Sequence, residues 1–119
     1  MNALIRQSID DIQLLDERHW KSPMVDVWGV SDLDLFKESD KILRRQVEGK
    51  PFFAYIQTAG NHRPFTIPNE NDGFEVLDIP LETVQNAGSR SVAQYNAERL
   101  LDFNIGRLME IAQEGGWYD

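Results

Sequence analysis

The sequence predicts an α/β protein, and three observations carry that prediction. Phe52, Phe53, Ala54, Tyr55 and Ile56, in a strand read over 52–58, leave no polar face, the mark of a strand covered on both sides, as in parallel sheets wrapped by helices. A helix-forming stretch leads into that run almost without a connector, a junction typical of α/β folds. A second amphipathic stretch follows over 89–114 and ends in Gly115-Gly116, as a crossover helix would. One strand and two helices make a poor sheet, so the chain is expected to be part of a larger α/β domain.

The elements follow in order. Residues 1–30 are weakly patterned and read as an irregular N-terminal segment. Ile9, Ile12, Leu14 and Leu15 suggest a short helix or a strand, and Trp20–Trp28 reads as a connector broken by Pro23. Ser31 is a good N-cap, with Asp32 and Asp34 near the positive end of the helix dipole. Leu33, Phe36, Leu43 and Val47 share one face, Lys41, Arg44 and Arg45 lie toward the C-terminal end, and Gly49 and Pro51 stop the helix. The strand 52–58 comes next. Residues 60–80, with Pro64, Pro68, Gly73 and Pro80, form a loop of about twenty residues, a length associated with function or disorder. In the last helix Ala97, Leu101, Ile105, Leu108 and Ala112 line one face. Gly106 lies within it at a cost of about 1 kcal/mol relative to alanine, which a close backbone contact would explain. Trp117-Tyr-Asp119 reads as the approach to another strand. Residues 31–119 thus read helix–strand–long loop–helix, within a single partial domain spanning 1–119.

Composition narrows the function. The chain has 119 residues, a net charge of −8, 41% hydrophobic and 27% charged residues. That is a globular chain with no basic face for nucleic acid. The acidity also argues against contact with an anionic membrane surface. There is no cysteine, which removes disulfides and thiolate metal sites. No run approaches the roughly 20 apolar residues of a membrane span, and residues 1–8 lack a signal-peptide core. A stand-alone product of this sequence is expected in the cytoplasm.

Ligands of α/β sheets bind at the carboxyl ends of strands. Asn61, His62 and Arg63 occupy that position here. His62 could donate to an anionic oxygen, Arg63 could pair with an anion in bidentate fashion but reads rather as solvated or bridged to a neighbouring carboxylate, and Asn61 could orient His62 or form a turn. Asp16, Glu17 and His19 do not share a helical face and read as a surface cluster rather than a metal site. Asp10 and Asp11 form a possible carboxylate pair. Asp32 and Asp34 are explained as helix N-terminal residues. Asp102 is expected to bond a buried backbone group or Arg99. Trp28, Phe36, Phe52, Phe53 and Tyr55 are expected in the core. No glycine-rich phosphate loop, nucleophile elbow or Cys/His metal motif is present.

Four segments in order carry a family resemblance: WGVSDLDLF over 28–36, KPFFAYIQT over 50–58, NHRPFTIP over 61–68, and DFNIGRL over 102–108 followed by GWYD over 116–119. They resemble the sulfatase-like enzymes of the alkaline phosphatase superfamily, and most nearly the lipoteichoic-acid-synthase-type phosphoglycerol transferases. The resemblance implies a segment of a doubly wound alkaline-phosphatase-like fold. It also implies a metal-dependent phospho- or sulfo-ester hydrolase or phosphoglycerol transferase acting on an anionic ester. The divalent metal (Mn, Mg, Ca or Zn) and the Thr or Ser nucleophile belong to the full-length family. The nucleophile and first metal carboxylate are expected upstream of Met1 and the Asp-His metal pair after Asp119, so no catalytic or metal residue is expected within the chain. The substrate-binding role falls on His62, with Asn61 and Arg63 beside it. As part of a membrane-tethered enzyme the segment would be extracytoplasmic. The alternative is a free-standing, non-catalytic protein that covers its apolar surface by homodimerisation.

Overall fold

The computed structural model describes residues 12–46 and 50–118. A 3-10 turn at Glu17–His19 leads to a small antiparallel hairpin, β1 (Met24–Asp26) and β2 (Gly29–Val30), in which Met24 faces Val30 and Asp26 faces Gly29. The stretch expected to be an irregular connector thus contains the only sheet among the described residues. The Trp28 N–H closes the turn onto Asp26 Oδ1 at 2.8 Å. Ile12, Leu14 and Leu15 belong to no regular element, and Ile9, Asp10 and Asp11 lie outside the described residues.

Helix α1 (Asp32–Leu43) begins where its cap predicts: Ser31 Oγ accepts from the Asp34 N–H at 3.0 Å. Leu33, Phe36 and Leu43 are buried, so the predicted face is the packing face. The helix tightens into a 3-10 turn at Arg44–Gln46, while Val47 and Gly49 lie outside the described residues. Helix α2 (Leu81–Asn86), which the sequence reading did not assign, buries Val84 completely. Its signals are a proline at the N-cap and Glu82 in the first turn.

Helix α3 (Val92–Gly115) is capped by Ser91, whose Oγ accepts from Gln94 N–H at 3.1 Å. It stops at Gly116, which takes a left-handed φ of 72°. Its buried face is Asn96, Ala97, Leu100, Asn104 and Ala112, which turns the helix away from the expected stripe and leaves Ile105 45% exposed. Two asparagines occupy core-facing positions, and hydropathy alone moved the expected face toward Leu101 and Ile105. A Cβ at Gly106 would meet nothing within 4 Å, so no close contact accounts for that glycine. Asp102 is exposed. Arg99 instead donates to the Glu75 carbonyl and to Asn96 Oδ1, each at 3.0 Å. Helices α1 and α3 pack on each other, and the core between them is completed by Phe74 and Val84.

The largest departure concerns residues 52–58. They belong to no strand, and Phe53 and Tyr55 are 91% and 79% exposed. Phe52 is also exposed and lies near Trp117, with ring centroids 6.4 Å apart and planes tilted at 56°. A strand needs partners for its backbone groups, and no described segment pairs with this one. Trp28, also expected in the core, is 49% exposed.

The long loop, by contrast, is closely held. Asn96 is 2% exposed and presents its amide to Leu77 as a strand neighbour would, accepting from the Leu77 N–H and donating to its carbonyl, both at 2.9 Å. Asp72 bridges Lys37 on α1 at 3.1 Å and Arg107 on α3 at 3.2 Å. Phe74 packs on Phe103 under the Arg99 guanidinium.

Candidate functional site

Asn61, His62, Arg63 and Pro64 are all exposed, at the crest of two successive turns. The His62 N–H donates to the Ala59 carbonyl and the Phe65 N–H to the His62 carbonyl, each at 2.9 Å. The Arg63–Pro64 peptide is cis, and Phe65 has a φ of 62°. Asn61 sits within the first of these turns, as one of its two sequence readings expected.

Two side chains from the hairpin–helix junction grip this loop. On its N-terminal side, Asp32 is 5% exposed; its carboxylate accepts from the Ala59 N–H at 3.0 Å and from the Gly60 N–H at 3.1 and 3.2 Å. A Cβ at Gly60 would stand 2.5 Å from Asp32 Oδ2, so the absence of a side chain lets the carboxylate seat against the peptide. On the C-terminal side, the Trp28 indole N–H donates to the Arg63 carbonyl at 2.6 Å. Its ring lies against the His62 imidazole with centroids 3.9 Å apart and planes 49° apart. Asp32 had been read as a helix N-terminal residue; it is that, and also a clamp on the loop. No spacing in the sequence links residues 28 and 32 to 59–63.

A cavity of about 20 Å³ lies under the loop, lined in part by Trp28, Asp32, Gly60, Thr66 and Asn104. That is room for one water molecule, so any ligand of His62 must approach from the outer side. The larger cleft, about 470 Å³, lies between Phe74 and α3 and shares no lining residue with 59–66. Arg99 already covers the Phe74 ring there, 5.0 Å from its centroid.

Arg63 joins none of the ion pairs among the described residues, which tie Asp16 to Arg18 and His19, Asp72 to Lys37 and Arg107, Glu38 to Lys41, Asp40 to Arg44, and Glu110 to Arg107. The His19 cluster is such a surface network: Asp16 caps the 3-10 turn, and its hydrogen bond with Arg18 holds its carboxyl well below the usual carboxylate range. Among the described residues no group of three His, Cys, Asp or Glu side chains could hold a metal ion. No helix among the described residues is long and apolar enough to cross a membrane.

A family model described as Sulfatase matches residues 6–119. A lipoteichoic acid synthase of Staphylococcus saprophyticus is 30% identical over 92 residues, which cover 76% of this chain and 13% of that protein. The chain thus spans a small part of the length of that relative. No solved structure matches.

Proposed function

Since the chain belongs to the sulfatase family, we propose that it is a segment of a metal-dependent phospho- or sulfo-ester hydrolase or phosphoglycerol transferase, in which His62 meets the oxygens of the transferred group. The observation that carries this reading is an exposed imidazole on a loop whose backbone is gripped on both sides, by Asp32 and by Trp28. A donor held in place before the substrate arrives stabilises developing negative charge without reorganising. Arg63 adds positive charge beside it, and Asn61 shapes the turn. The metal, when bound to residues of the whole enzyme, polarises the transferred group; its ligands and the nucleophile belong to parts of the polypeptide beyond this segment. The parent domain is a doubly wound α/β fold, extracytoplasmic where the whole enzyme is tethered to a membrane.

An NMR titration of the imidazole signals of the purified chain with inorganic phosphate and with sulfate tests this. His62 signals should shift saturably, and His62→Ala should abolish the binding. Anion-induced shifts confined to other residues would refute the assignment.

A second reading rests on the exposed rings of Phe53 and Tyr55 on a segment that no strand among the described residues pairs with. As a free-standing protein the chain would cover them by self-association, pairing two copies through 52–58. Sedimentation should then show a dimer at micromolar concentration; a folded monomer at high concentration would count against it.

A further inference from the structure

We infer that Trp28 is a positioning residue for His62, acting through a close, tilted ring contact and through its indole hydrogen bond to the Arg63 carbonyl. The inference rests on the reading that His62 meets substrate oxygens. An exposed histidine has two soft side-chain torsions and, without a wall, samples several rotamers. Here the indole supplies the wall, at 3.9 Å between centroids. The same indole fixes the backbone that carries the imidazole, because its N–H ends on the Arg63 carbonyl at 2.6 Å.

That carbonyl also faces the His62 ring, with Nδ1 3.3 Å from the Arg63 oxygen. A carbonyl only accepts, so the contact is a hydrogen bond when Nδ1 carries a proton, and donation from Nε2 to an anion then requires a second ring proton. Pinning the carbonyl with Trp28 keeps that acceptor in place. Trp28 is itself held, its backbone N–H bonded to Asp26 Oδ1 at 2.8 Å and the following β2 leading directly into the Ser31 cap. The placement explains why a large aromatic ring is left half-exposed on a hairpin turn: its contacts are with the loop rather than with the core.

The test compares the full chain with Trp28→Phe and Trp28→Leu. Two readouts are followed: the ring-current displacement of the His62 imidazole protons, and the dissociation constant of inorganic phosphate from the same spectra. In Trp28→Leu the His62 protons should move to the positions of a free imidazole, and phosphate binding should weaken about threefold to tenfold. Trp28→Phe keeps a ring but lacks the N–H, and should fall between. Coincident His62 signals in wild type and Trp28→Leu would overturn the inference. So would unchanged phosphate affinity in Trp28→Leu. If wild type itself binds no phosphate while Trp28→Leu still shifts the imidazole, the substrate reading fails and the ring contact stands. Because Trp28 is half-exposed, an intact amide spectrum in either variant separates loss of positioning from loss of fold.

Discussion

Asp32→Ala should destabilise the protein strongly and release the His62 loop. The carboxylate is buried and accepts from two backbone N–H groups, counting the three-centre contact with Gly60 as one bond. Hydrogen bonds to a charged group contribute about 1.5–3 kcal/mol each, and the alanine variant leaves both N–H groups without their acceptor. Relief of the desolvation of a buried carboxylate offsets part of that loss, leaving about 2–4 kcal/mol. Loss of a negative charge in the first turn of α1 adds roughly 0.3–1 kcal/mol. With Tm moving about 4 °C per kcal/mol at this chain length, a total near 3 kcal/mol lowers Tm by about 12 °C. Thermal unfolding followed by far-UV circular dichroism measures the shift, and amide hydrogen exchange at Ala59 and Gly60 locates it. Asp32→Asn retains one acceptor oxygen and should fall between. A Tm within about 2 °C of wild type, or unchanged protection at 59 and 60, would refute the clamp.

Three further outcomes follow from the packing. Asn96→Ala strands the N–H and carbonyl of Leu77 and should lower the free energy of urea unfolding by about 2–3 kcal/mol; a loss under about 0.5 kcal/mol would mean that water replaces the amide. Asn104 is 3% exposed, and its Oδ1 has no hydrogen-bond partner among the described residues. Asn104→Leu should therefore leave stability unchanged or raise it by up to about 2 kcal/mol in the same assay, whereas a clear loss would show that the oxygen is satisfied. Hydrogen bonding from Lys37, followed by that from Arg107, holds the Asp72 carboxyl below its ordinary value against partial desolvation. A lowered folded-state value stabilises above the unfolded value of about 3.9 and is lost as pH falls through the folded one. The stability difference between wild type and Asp72→Asn should thus be full at neutral pH and shrink below about pH 4; a difference constant through acid would refute it.

Local signals were legible in the sequence and long-range ones were not. The caps at Ser31 and Ser91 and the stop at Gly116 act on neighbours three or four residues away, so α1 and α3 emerge within a few residues of their expected bounds. The apolar run 52–56 is equally plain, but a strand exists only with partners, and the described residues supply none. The buried face of α3 was misplaced because Asn96 and Asn104 point inward, a choice that hydropathy cannot anticipate. The position of His62 after an apolar run made it a candidate. Its support was hidden, since Trp28 looked like a core residue and Asp32 like a helix N-terminal acid. The contacts that join them to 59–63 span 27 residues and more.

The most direct test of the central claim is an assay of the purified chain for turnover of aryl phosphate and aryl sulfate with Mn²⁺, Mg²⁺, Ca²⁺ or Zn²⁺ added. A segment that contributes an oxygen-contacting histidine but not the nucleophile and metal ligands should give no hydrolysis above background with any of these ions. Robust metal-dependent hydrolysis that disappears in His62→Ala would contradict the account and place the chemical centre within these 119 residues.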